Sequence, residues 1–286
     1  MTKQEQTGAI FHDRSTAESF LRGIGQRPDD PLPLAEAALA LAALDRPRVD
    51  LARYHQHLAS LGREVGEVAG DAMDATERIA ALTAVLHGRY DYEGDTLTYE
   101  DLQNANLMRV IDRRKGLPVA LGILYIHAGR AQGWNMAGLS FPGHFLVRFD
   151  QDGARAILDP FHGGRVREAA ELRDLLKATS GTEAELTPQH YAPVGDREIL
   201  IRLQNNLKLR LIESRHMERA LAVVEGMMLF APHHAVLWRE AGLISAQLGN
   251  LRAAIGALEH FLEIAEDDKA RHQTASLLQQ LKARLQ

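Results

Sequence analysis

The periodicity of this 286-residue chain changes character once, and that change constrains the fold more than any other feature. Apolar residues recur at helical spacing through most of the sequence. "HFLVRF" at 144–149 instead alternates, with His144, Leu146 and Arg148 on one face and Phe145, Val147 and Phe149 on the other. The tight-turn signal "DQDG" follows, then a second strand, "ARAILDP", that stops at a proline. A hairpin set among helices makes the chain α+β.

The turn brings two chemically interesting side chains together. With Gln151 and Asp152 as a two-residue loop, Asp150 pairs with Gly153 and His144 lies directly opposite Asp159. A three-residue loop with Gly153 in the left-handed position shifts the pairing by one, and its bulge still keeps the two side chains close. A strand histidine oriented by a carboxylate is how cysteine and serine acyl-transfer enzymes hold their general base.

Helices are expected on both sides. "PLAEAALALAAL" is apolar nearly all round and reads as a buried helix; Leu51, Tyr54, His55, Leu58 and Leu61 form the stripe of the next. Asp74 and Glu77 form an acidic capping box for a third. "TYEDLQNANLMRVIDRRKG" predicts a helix closed by Gly116, and "LPVALGILYIHAGRAQG" one with Pro118 in its first turn and Gly133 at its end. "TPQHYAPVGD", with two prolines and a glycine, reads as a linker. Beyond it the chain repeats: 218–232 aligns with the segment from 253 at an offset of 34, pairing Ala220 with Ala254, Leu221 with Ile255, Val224 with Leu258 and Met228 with Leu262. That offset is the tetratricopeptide period, supported by Trp238, Gly242 and Leu248, and "QTASLLQQLKARL" reads as a polar-faced cap.

The remaining composition mostly excludes. Cysteine is absent, which removes disulfides, thiolate metal sites and a thiol nucleophile. The charge of −5 is evenly spread, with no basic face for nucleic acid or anionic lipid. "GLPVALGILYIHAG" falls short of the roughly 20 apolar residues of a membrane helix, and the start has no signal-peptide run, so the expectation is a cytoplasmic protein. The densest histidine groups, 55 to 57 and 233 to 234, have the wrong spacing for chelation on one helix face, so neither metal nor cofactor is expected.

In the papain and transglutaminase arrangement, the nucleophile of such a pair sits in the first turn of a preceding helix, where the dipole lowers a thiol's pKa. The helix in that position offers Val119, Ala120 and Leu121. The chain resembles the bacterial SirB-one-type family, a transglutaminase-like core followed by tetratricopeptide repeats. The resemblance is carried by "RRKGLPVALGILY", "FPGHFLVRF", "ILDPFHGGR" and "LQNNLKLRLIESRHMERALAVVEGMMLFAP". It implies a cysteine-peptidase-like core around helix 117–132 and the two strands. It also implies that Ala120 stands where members commonly carry serine or threonine.

The expectation is therefore an α+β chain: an N-terminal segment over 1–30, a mostly helical transglutaminase-like domain with a small antiparallel sheet over 31–186, a linker over 187–196, and an all-α repeat region with a capping helix over 197–286. His144 and Asp159 read as a vestigial catalytic pair, with Ala120 as the lost nucleophile position. Ser140, at the strand's entry, has no dipole to activate it, and Tyr125 reads as part of a packed face. The acidic, aromatic stretch 90–101 is a candidate cleft rim, tied to the core by Asn104 and Asn106. Asn104 and Arg113, and Arg202, Asn205, Asn206 and Lys208 along the first repeat helix, are candidate binding residues. The leading function is a non-catalytic scaffold whose repeats recruit a protein or peptide. The rivals are a hydrolase or acyl-transfer enzyme using His144 as base, and a sensor binding a small molecule or peptide in the old cleft.

Overall fold

The computed structural model describes residues 11–28, 31–72, 74–139 and 141–285; Ser140 lies outside them. The chain divides into two compact units. One comprises Pro28–Leu203 with the residues up to Phe20, the other Gln204–Gln286 with Leu21–Arg27.

The first unit opens with α1 (Arg14–Gly25, whose last turn falls to the second unit), α2 (Leu34–Asp45), α3 (Ala52–Ala69) and α4 (Ala75–Thr83). Helix α2 buries Leu34 and every alanine and leucine from Ala37 to Ala43, as its all-round apolarity requires. Helix α3 buries Tyr54, Leu58, Leu61 and Val65 along one stripe. The capping box forms on α4, with Asp74 accepting from Glu77 N at 2.9 Å and Glu77 Oε2 accepting from Asp74 N at 3.4 Å. Helix α4 runs into a π-helical turn, Ala84–Arg89.

The next helix is shorter than expected. Asn106 leaves helical geometry and caps Arg109 N with its own side chain at 3.2 Å, splitting the segment into a 3-10 turn, Leu102–Ala105, and α5 (Leu107–Arg113). Arg114, at φ 61°, takes the left-handed closing position expected of Gly116. Gly116 instead lies in β2 (Lys115–Gly116), paired in parallel with β1 (Glu93–Gly94), where a Cβ would stand 2.9 Å from Val110.

Helix α6 (Pro118–Arg130) is the centre of the unit, buried from Pro118 through Ile126. A five-stranded antiparallel sheet carries it on one face: β3 (Met136–Leu139), β4 (Leu146–Gln151), β5 (Ala154–Asp159), β6 (Arg165–Val166) and β7 (Pro193–Val194), in the order β6-β5-β4-β3-β7. Close approach requires Gly122, whose Cβ would stand 2.4 Å from Phe145 and 3.3 Å from Val147. On the other face Leu146 and Ile157 form a small core with Leu139, Phe141 and the Leu172 and Leu176 side chains of α7 (Ala169–Ser180). The stretch expected as a linker carries a 3-10 turn, Pro188–Tyr191, and the edge strand β7.

The hairpin register differs from the expectation by two residues. Gln151 pairs with Ala154 and Val147 with Leu158, so Asp152 and Gly153 form the loop. Both have positive φ, 53° and 81°, the geometry a type I′ turn demands and Asp-Gly supplies better than Gln-Asp. A shift of two leaves every residue on its expected face.

Helix α8 (Asp196–Glu213) contributes residues to both units. The second unit continues with α9 (Met217–Phe230), α10 (Ala235–Gln247), α11 (Leu251–Ile264) and α12 (Asp268–Leu285). Repeat-equivalent Ala220 and Ala254, and Val224 and Leu258, are wholly buried. Gly242 lets α11 approach, since a Cβ there would stand 2.5 Å from Leu258. Trp238 donates to Pro232 O at 2.7 Å and packs on His260 at 4.0 Å. No helix among the described residues is long and apolar enough to cross a membrane.

Candidate functional site

The site is built where the hairpin opens. Strand pairing ends at Val147 and Leu158; beyond it β5 turns to pair Asp159 with Arg165, and Gly143 (φ 68°) bends the chain into His144. His144 is therefore not directly across the ladder from Asp159, yet its Nε2 lies 2.9 Å from Asp159 Oδ1. The divergence of the two strands does what strict pairing was expected to do.

Asp159 is fully buried and has three partners, of which the hairpin argument identified one. Arg167 donates to Oδ2 through Nε and Nη2 at 2.9 and 2.7 Å, and His162 Nδ1 lies 2.8 Å from the same oxygen. The left-handed Gly163 and Gly164 (φ 70° and 78°) turn the chain so that 162 and 167 converge on one carboxylate. Burial alone would push Asp159 up, but the hydrogen bonds and charges of His144, Arg167 and His162 outweigh it and hold the carboxyl well below the usual range. The "GGRVR" stretch after the Asp-Pro was a signal for the arginine, since two glycines permit the return that Arg167 needs.

The backbone of His144 is pinned by Arg202, which donates to His144 O at 2.6 Å and lies over the Phe145 ring at 5.5 Å. Its guanidinium thus braces the site. Ala120 occupies the first turn of α6, two residues after Pro118, and is fully buried. Tyr125, further along α6, is also fully buried as a packed-face residue; its hydroxyl has no hydrogen-bond partner among the described residues and sits against Gly164.

The 90–101 stretch reaches the same place through aromatic rings. Tyr99 meets Phe161 edge-on at 5.8 Å, and Phe161 meets His144 at 6.0 Å. Asn104 holds the loop, donating to Thr98 O at 2.7 Å and accepting from Arg113 Nη1 at 2.8 Å. Arg113 also donates to Asp95 at 2.7 Å, and Asp95 accepts from Thr98 N and Oγ1 at 2.8 and 2.6 Å. Burial opposes the charge on Asp95, but these bonds hold its carboxyl well below the usual range. Asp95 was missed; its spacing to Thr98 is that of a local side-chain cap. Asn106 reaches Ala42 O at 3.4 Å and Asp45 at 3.3 Å, tying the segment to α2.

Asn205, Asn206 and Lys208, the other candidate binding residues, belong to the second unit. Asn206 interacts with Arg210 one turn on, at 3.2 Å. The Lys208 ammonium is buried and bonded to both Glu240 oxygens at 2.8 and 2.7 Å. Asn205 Oδ1 is buried without a hydrogen-bond partner among the described residues. His55 and His57 diverge, to Phe11 O at 3.2 Å and Tyr92 OH at 2.7 Å. One metal-type grouping that residue spacing did not reveal is His144, Asp159 and His162, with ligand atoms within 4.8 Å of one another. The two Arg167 N–H groups on Asp159 Oδ2 set a fixed positive charge against a cation there.

A histidine oriented by a buried carboxylate, on a sheet packed against a buried helix, is the frame of a transglutaminase-like domain, here followed by helical repeats. Residues 52–205 match the Transglutaminase-like superfamily and residues 207–279 the Tetratricopeptide repeat. A UPF0162 protein of Vibrio cholerae is 32% identical over 84% of this chain and 89% of its own length. One of Xylella fastidiosa is 31% identical over 82% and 85%. Protein SirB1 of Salmonella typhimurium is 27% identical over 81% and 85%. The chain belongs to this family of transglutaminase-like proteins with tetratricopeptide repeats.

Proposed function

We infer that this chain is a non-catalytic member of its superfamily, a protein-binding or regulatory scaffold whose repeats recruit a partner. The observation that carries the reading is Ala120: a methyl group stands in the first turn of α6, and the chain has no cysteine to replace it. Asp159 supports it, because a carboxylate shared among His144, His162 and Arg167 has the bonding of a structural keystone. The repeat unit supplies surface for a partner: Leu209 and Ile212 of α8 and Val236 and Leu243 of α10 are exposed apolar side chains. The test is affinity capture from native extract with the full-length protein and a Leu209→Asp/Val236→Asp variant. A stoichiometric partner retained by the first and lost by the second is expected; two bare preparations would remove the recruiting role.

A second reading rests on one observation. His144 Nδ1 has no hydrogen-bond partner among the described residues, while Nε2 is fixed by Asp159, which leaves Nδ1 as the nitrogen that would take a proton from water. Hydrolysis of activated esters that disappears in His144→Ala would favour this enzyme over the scaffold.

A further inference from the structure

We propose that the outer face of the sheet carries a binding site for a small, multiply charged anion, separate from the His144 cluster. A cavity of about 650 Å³ opens between β4, β5, α7 and the 184–192 segment. That volume is in the range of small-molecule sites. Its lining includes Arg148, Arg155, Arg173 and Lys177 against a single acid, Glu185. Asp150, just outside, pairs with Arg148 at 2.8 Å and with Arg155 at 3.1 Å, so the lining together with Asp150 carries two more positive than negative charges. This excess sits in a protein whose formal charge is −5.

Three features distinguish the cluster from an ordinary solvated face. The Arg173 and Lys177 side chains stand one turn apart on α7 with no ion pair or hydrogen bond among the described residues. Like charges at that spacing repel, and neither side chain is held by a carboxylate among the described residues. Arg148 is held in the cavity wall by Tyr191 O at 2.8 Å, and its Nε is buried without a hydrogen-bond partner among the described residues. Finally, the cations come from a rigid sheet and a helix docked on it through Leu172 and Leu176, so their spacing is set before a ligand arrives. Planar guanidinium forks with an adjacent ammonium match phosphate or paired carboxylate oxygens.

The full-length protein would be titrated calorimetrically with pyrophosphate and, separately, with citrate, at constant physiological ionic strength. The wild type is expected to bind at least one saturably, and the affinity to fall about tenfold or more in Arg173→Glu/Lys177→Glu, whose side chains are exposed and whose loss leaves the core intact. An Arg252→Glu/Lys269→Glu variant, with the same change in net charge, should bind as the wild type does. Pyrophosphate binding assigns a phosphate-bearing ligand and citrate binding a polycarboxylate. If the wild type binds neither, or both charge variants weaken binding equally, the site does not exist. The unchanged far-ultraviolet circular dichroism of each variant is the check on folding.

Discussion

His144 Nε2 lies 2.9 Å from Asp159 Oδ1 although the two residues are not partners in the β4–β5 ladder. The contact depends on where the strands separate, and on the Arg167 and His162 side chains that take the other carboxylate oxygen. Asp159 is therefore a keystone for three side chains, and its replacement should reveal how much of the unit rests on it.

Asp159→Ala leaves the largely buried Arg167 guanidinium without its main partner. Breaking such a buried pair costs about 3–5 kcal/mol. Urea unfolding is expected to show a lower midpoint with an unchanged slope. His144→Ala should cost less, because Asp159 keeps Arg167.

The carboxyl of Asp159 is held below its ordinary value: burial opposes the charge, and His144 and Arg167 more than compensate. An unfolded aspartate titrates near 3.9, so the unfolded chain takes up a proton first as pH falls. Stability from this group is present above that value and is lost as pH falls through the lower folded value. Asp95 acts in the same direction. Melting temperature followed from about pH 6 downward should fall less steeply in Asp159→Asn and Asp95→Asn than in the wild type.

Ala120→Cys would place a thiol in the first turn of α6, where the family resemblance sets a nucleophile. Its alkylation rate should exceed that of a free cysteine at neutral pH and return toward it when His144 is also replaced. A rate no higher than a free thiol's would mean that position 120 does not have the superfamily's nucleophile geometry.

Gly122→Ala tests the seam between α6 and the sheet. The added methyl would stand 2.4 Å from a Phe145 ring carbon, and overpacking of this kind costs about 1–3 kcal/mol. Thermal unfolding should show the loss, and Phe145→Leu should recover part of it.

Lys208 and Glu240 give a prediction of asymmetry. The lysine side chain is 7% exposed and the glutamate 30%. Lys208→Met leaves a glutamate that can turn to water, whereas Glu240→Gln leaves a buried ammonium facing a neutral amide. The second variant should be the less stable, measured by melting temperature.

What the sequence determined by itself is local. The capping box of Asp74 and Glu77, Pro118 at the head of α6, the alternation over 146–149 and the 34-residue repeat each depend on residues within a turn or on a periodicity, and each is present in the structure, although the strand begins at Leu146 and leaves His144 in the bend before it. The tertiary structure decided what depends on distant backbone. It set the hairpin register through the φ values of Asp152 and Gly153. It gave Asp159 to Arg167 and His162 as well as His144, and Arg202 to the His144 carbonyl, 58 residues away. It also buried Asp196 against Arg130 at 2.6 Å and the Leu32 amide at 2.8 Å. Helix caps and turns are chosen by short-range sterics and hydrogen bonds, which a sequence displays directly. Which charged group meets which carboxylate is chosen by how helices and strands pack, and only the folded chain brings those groups within reach.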